Sequence, residues 1–255
     1  MRGRVLFATR SWLAGPGLLA ALALLVAAGC SQSPEAQKQK ALDRGEKFLK
    51  EGKANEAVIE LRNALQIDKD FVPALHALGR AYVAKSWYGD AARELGRAQA
   101  LAPESVPIAA DLGRVLVETG AWGDVGGQAE RILARDPKSP DGIYLRAAAL
   151  LGQGKAEEAL AVVAAAAQGG IPIPETQTLR AEALLRRGKV DEAEGAYRAA
   201  LAANPKEARV LAGLGAVRLI RRDFEEAARL FADAKALRPL DPRIRMGVAG
   251  AKEGL

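Results

Sequence analysis

The stretch AEALLRRGKVDEAEGAYRAALAANPKEARVLAGLG, residues 181–215, opens and closes on a small residue, and the two lie 34 positions apart. Stepping outward by the same interval gives one series: Gly45, Gly79, Gly113, Ala147, Ala181 and Gly215. Twelve residues after each lies a second series, Ala57, Ala91, Val125, Ala159, Ala193 and Ala227. A third comprises Ala64, Ala98, Ile132, Ala166, Ala200 and Ala234, while Pro103, Pro137, Pro205 and Pro239 recur at one place near the end of the unit. An internal period of this length, held in register over six units, is the mark of a repeat array rather than a closed globule.

The physical content of the pattern is close packing of two antiparallel helices. A methyl group or a bare hydrogen at the small positions lets a neighbouring helix approach at short axial distance. Larger side chains fill the space alongside: Phe48, Tyr82, Leu116, Leu150 and Leu184 on the first helix, and Leu61, Leu95, Val163, Tyr197 and Phe231 on the second. A single pair cannot bury its apolar face, so stacked pairs share one continuous core. The departures are local. Lys69 and Ile171 stand where Pro recurs, Ala129 stands where the second helix has a large residue, and Arg218 occupies a bulky apolar position. Gly123, Gly126 and Gly127 weaken the second helix of the third unit, where the loosest packing is expected.

The period, the small residues and the terminal Pro resemble the tetratricopeptide repeat (TPR). The resemblance implies an all-α, right-handed superhelix of six helix-turn-helix units (38–71, 72–105, 106–139, 140–173, 174–207 and 208–241), with a capping helix over 242–255. Inter-helix turns fall at Gly52-Lys53, Gly120-Ala121, Gly154-Lys155 and Gly188-Lys189. Residues 169–174 (GGIPIP) form the one irregular linker, a candidate hinge.

Composition agrees with an all-α array: aromatic residues make up only 5%, and no run alternates with a strand period. The formal charge is +6, but Arg2, Arg4 and Arg10 belong to the leader, and without them only +3 remains. Bases interleaved with acids at that modest excess argue against nucleic acid as a partner. One Cys and one His leave neither a disulfide framework nor a usual zinc site, and no cofactor or metal is expected.

Residues 1–29 read as a secretory signal, with a basic start and the apolar run LLAALALLVAA at 18–28, too short to span a bilayer. Ala27-Ala28-Gly29-Cys30 is similar to the lipobox of bacterial lipoproteins, in which the Cys becomes the lipidated N-terminus. That similarity implies acylation of Cys30, and Ser31 after it implies delivery to the outer membrane, facing the periplasm. Residues 30–37 are then a short tether, and Ser33 before Pro34 predicts a capped helix start.

No catalytic constellation is visible. The segment 152–155 (GQGK) suggests a phosphate loop, but the required upstream Gly is missing and Ala156 replaces the magnesium-binding hydroxyl, so it reads as an inter-helix turn. The TPR resemblance implies instead a concave groove, lined by first-helix positions Leu42, Glu46 and Leu49; His76, Arg80 and Val83; Ala110, Arg114 and Val117; Tyr144, Ala148 and Leu151; Thr178, Glu182 and Leu185; and Ala212, Ala216 and Leu219. The Lys/Asn clamp of chaperone-binding members is not reproduced, because Asn is missing at each of its places. His76, Arg80, Arg114, Tyr144 and Glu182 are the candidate partner-binding residues, and the two arginines suit acidic side chains or an anionic glycan.

Residues 30–35 (CSQSPE) and 57–65 (AVIELRNAL) are similar to TPR lipoproteins of exopolysaccharide and PEP-CTERM systems, which implies an outer-membrane scaffold for a protein partner. The array also resembles type IV pilus pilotins, lipoproteins with six TPRs, which implies escort of a secretin. The sequence leaves the oligomeric state open.

Overall fold

The computed structural model describes residues 33–171, 175–239 and 241–255; the leader and Cys30 lie outside them. The described residues hold thirteen helices and no strand. Helices α1 (Pro34–Lys50) and α2 (Ala54–Ile67) form the first antiparallel pair, and α3 (Val72–Ala84) and α4 (Tyr88–Leu101) the second. The third and fourth pairs are α5 (Val106–Thr119) with α6 (Trp122–Leu133) and α7 (Pro140–Gly152) with α8 (Ala156–Gln168). The fifth and sixth are α9 (Thr176–Arg186) with α10 (Val190–Ala203) and α11 (Ala208–Ile220) with α12 (Phe224–Leu237), after which α13 (Pro242–Gly254) packs on α11 and α12. Each helix touches the next along the chain, so the core runs through the stack as a series of apolar clusters. No described helix is long and apolar enough to cross a membrane.

Local sequence explains where the helices start and stop. Ser33 Oγ accepts from the Ala36 amide at 3.2 Å and Pro34 occupies the first helical position, as the tether reading predicts. The inter-helix turn is the same structure six times. Gly52, Gly120, Gly154 and Gly188 have φ between +72° and +82°, and Ser86 and Arg222 take the equivalent place at +57° and +59°. One residue further on, an amide reaches back over the helix end to the carbonyl of Phe48, Tyr82, Leu116, Leu150, Leu184 or Arg218, at 2.9–3.1 Å. These bonds close the orphaned carbonyls of the first helix as a Schellman motif does. Two of the six turns thus lack glycine, which is why the Gly-Lys signal appears in only part of the array.

The small residues work by contact. A Cβ built on Gly45 would lie 2.5 Å from Leu61 Cγ, one on Gly79 2.5 Å from Leu95 Cγ, and one on Gly215 2.9 Å from the Phe231 ring. Repeat three solves the same problem differently. With Ala129 in place of the large second-helix residue, Leu145 from α7 moves over Gly113, its Cδ1 2.4 Å from where a Cβ would sit. Val125, Ala129, Ile132 and Leu145 are all buried, so the expected loose packing is corrected: the next repeat supplies the missing volume. Gly123 and Gly127 point into open space and shape no contact.

Arg218 also has a physical reason. Its Nη2 reaches the buried Glu194 of α10 at 2.8 Å, and Arg198 and Arg221 approach the same carboxylate at 2.7 and 2.5 Å. A guanidinium therefore replaces the apolar filler of the other units because α10 places a buried acid under it. Of the candidate hinge, residues 172–174 lie outside the described residues; Gly170, with φ +68°, ends α8, and Ile171 packs on the central cluster.

Candidate partner-binding groove

The inner wall is built by ion pairs between successive first helices. Arg114 on α5 donates from Nη2 to Asp141 Oδ1 on α7 at 2.8 Å, a step of 27 residues. Glu182 on α9 accepts from Arg209 on α11, Nε to Oε1 at 3.0 Å and Nη2 to Oε2 at 2.8 Å, again 27 residues apart. The two pairs occupy the same repeat positions with their charges reversed. By that rule the partner of Arg80 would be residue 107, which is Pro. Arg80 is exposed and makes no ion pair among the described residues.

The pairs are joined through Tyr144. The Arg114 guanidinium lies 4.7 Å from the centroid of its ring, and Arg209 Nη1 donates to its hydroxyl at 3.1 Å. Arg114 Nη1 also donates to Glu175 Oε1 at 2.7 Å, one repeat beyond Asp141. Burial would loosen the proton on Arg114, but the bonds to Glu175 and Asp141 outweigh it and raise its pKa. The charge of Glu182 raises that of Arg209 well above the ordinary value, against burial. Four of the five candidate residues, Arg80, Arg114, Tyr144 and Glu182, thus stand along one wall, three of them in a single bonded network. His76 sits beside it, its Nε2 2.7 Å from Asp111 Oδ2.

In front of this wall is a cavity of about 650 Å³, bounded by first helices on one side and by α10, the α10–α11 corner and Arg238 on the other. Arg80, Arg114 and Tyr144 line it directly, whereas His76 and Glu182 act through Asp111 and Arg209, which do. Leu42, Ala110, Val117, Ala148 and Leu151 are buried in the core and do not line this cavity; on α5 the lining runs through Asp111, Arg114, Val115 and Glu118 instead. The reason is the apolar clusters of repeats three and four, which draw Ala110, Val117, Ala148 and Leu151 inward.

A second correction concerns charge. Arg80, Arg114, Arg209 and Arg238 line the cavity together with Asp111, Glu118, Glu175 and Glu207, a balanced set. Arg114, read from sequence as one half of a basic patch, is already neutralised by two carboxylates. Only Arg80 among these arginines offers an uncommitted cation. Sequence reasoning also missed the far wall. Arg238, at the C-terminus of α12, donates from Nη1 to Glu118 Oε2 on α5 at 3.0 Å, and Arg243 Nη2 on α13 lies 3.6 Å from the same oxygen. This contact joins residues 120 apart and bridges the groove.

Comparisons with known proteins bear on the fold. Residues 178–242 match the tetratricopeptide repeat family profile. No curated protein matches the chain in sequence. Among solved structures, a tetratricopeptide repeat protein from Parabacteroides merdae is similar with a TM-score of 0.72 at 16% identity, over 84% of each chain. A structure of the APC/C hetero-tetramer Cut9–Hcn1 is similar with a TM-score of 0.65 at 16% identity, over 91% of this chain and 46% of that one. PilF of Pseudomonas aeruginosa gives 0.55 at 18% identity, over 86% and 99%. With six stacked helix pairs and a terminal helix among the described residues, the chain has the fold of a tetratricopeptide-repeat solenoid.

Proposed function

We propose that the protein is an outer-membrane-anchored TPR scaffold that holds a protein partner in its concave groove, in exopolysaccharide export or envelope assembly. TPR solenoids are generally non-catalytic binding platforms, and the repeat profile and the solved TPR neighbours support that coarser role. The observation that carries the site is Arg80: it faces the cavity with no ion pair among the described residues, on a wall whose other arginines are all engaged. Anchoring rests on Cys30 and the lipobox-like residues before it. Several acyl chains on one Cys would give stable attachment, which a single chain does not.

Two measurements test this. Labelling cells with a radioactive or clickable fatty acid should mark the wild-type polypeptide and not Cys30→Ser; an unlabelled wild type would refute the anchor. Pull-down from detergent-solubilised envelopes should recover a protein with the wild type and lose it with Arg80→Glu. Equal recovery from both would remove Arg80 from the site. The pilotin-like alternative, escort of a secretin, is compatible with the likeness to PilF. Normal secretin multimers in a deletion strain would eliminate it.

A further inference from the structure

The contact between Glu118 and the arginines of the C-terminal unit is not needed to build the stack. Helices α5 and α12 belong to different repeats and are not packed on one another; each has its own neighbours. Glu118 is nevertheless only 16% exposed, and Arg238 and Arg243 converge on its one oxygen, Oε2. Burial alone would loosen the proton on Arg238, yet the charge of Glu118 and the bond to it hold that proton more tightly than usual. Both Glu118 and Arg238 line the cavity, so the bond lies on its rim, on the same surface as Arg80.

We propose that Glu118 is an internal stand-in for a carboxylate of the partner: it clasps the solenoid shut across the groove, and an acidic partner segment takes its place on Arg238 and Arg243. This rests on the scaffold reading above and assigns the class of partner. Two facts favour an acid. Opening the clasp frees the Arg238 guanidinium beside Arg243, which keeps Asp241 as its other carboxylate, and Arg80 adds a cation with no ion pair among the described residues. An open solenoid can flex at many small inter-repeat steps, so a partly exposed ion pair suffices to bias it.

The test has two readouts on the full chain. Spin labels at Gly89→Cys on α4 and Arg245→Cys on α13, in a Cys30→Ser background, report the distance across the groove by pulsed dipolar spectroscopy. Gly89 has no atom within 4 Å of its Cβ direction and Arg245 is exposed, so neither label disturbs packing. The wild type should give a short distance, and Glu118→Gln should raise the population of a longer one about five- to tenfold, as loss of a pair of partly exposed ion contacts implies. A fluorescein-labelled hexaglutamate peptide, followed by anisotropy at low salt, should bind Glu118→Gln five- to tenfold more tightly than the wild type.

Glu56→Gln on α2, which removes the same charge from an exposed site outside the groove, should leave peptide affinity within twofold of the wild type. Adding Arg238→Gln and Arg243→Gln to Glu118→Gln should abolish the gain. Unchanged distances in Glu118→Gln would overturn the clasp. An open clasp with no gain in peptide affinity, or an equal gain in Glu56→Gln, would overturn the acidic partner. Neither failure touches the envelope pull-down that tests the scaffold itself.

Discussion

The same substitution, glycine to alanine, should have opposite effects at two places in this chain. Gly79 lies inside α3, where a new Cβ would stand 2.5 Å from Leu95 Cγ and 2.8 Å from its Cδ2. Leu95 is fully buried, and the carbon struck first is its branch point rather than a free end, so relief requires the α3–α4 pair to part. Carbon atoms are in comfortable contact at roughly 3.5–4.0 Å, which demands a shift of about 1 Å. Overpacking of this kind costs about 1–3 kcal/mol, and an obstruction at a branch carbon belongs at the upper end. Alanine gains about 1 kcal/mol over glycine in a helix interior, so Gly79→Ala should lose about 2 kcal/mol net. Gly127 lies inside α6 with nothing within 4 Å, and Gly127→Ala should gain close to the full 1 kcal/mol. The assay is urea unfolding followed by far-ultraviolet circular dichroism, comparing midpoints and slopes because a repeat array need not unfold in one step. The reasoning is refuted if Gly79→Ala unfolds at or above the wild-type midpoint, or if Gly127→Ala unfolds below it.

Other expectations follow from the turns, the wall and the last helix. Ser86→Gly should stabilise by about 0.5–1 kcal/mol, because it relieves a left-handed residue, whereas Gly154→Ala should cost about 1 kcal/mol at the equivalent turn; thermal melts compare them. Glu182→Arg should cost about 2–3 kcal/mol by setting two guanidinium groups against each other on a partly buried wall. The double variant Glu182→Arg with Arg209→Glu should recover most of that loss, since it reproduces the polarity of Arg114 and Asp141; a double-mutant cycle measures the recovery. Asp241 is partly buried, which alone would raise its pKa, but bonds from Arg243 and the α13 amides lower it overall. A depressed carboxylate pKa contributes stability that is present above about pH 4 and lost as pH falls through the folded value. The melting temperature of Asp241→Asn should therefore trail the wild type at neutral pH, and the gap should narrow as the pH falls below about 4.

Most of the fold can be read from the chain because the repeat determines it locally. A small residue, a filler and a turn at fixed offsets specify each helix pair, and pairs add one to the next. What escapes such reading depends on neighbours outside the unit. Ala129 alone predicts a void; only the position of Leu145 in the following repeat fills it. Arg218 alone looks misplaced until Glu194 is set beneath it. The wall of the groove was half legible. The 27-residue step linking Arg114 to Asp141 and Glu182 to Arg209 is present in the sequence, and with it the absence of a partner for Arg80 at Pro107. The bond from Glu118 to Arg238 was not legible, because it depends on the summed rotation of four repeats, which no local spacing reports.

The borrowed leucine of the third repeat has a mechanical consequence. At Gly45, Gly79 and Gly215 the side chain that covers the small position comes from the same unit. Between the third and fourth units the seam is shared, so severing the chain at that junction would leave Gly113 uncovered on one fragment and Leu145 stranded on the other. Those two units should melt and exchange their amide protons together.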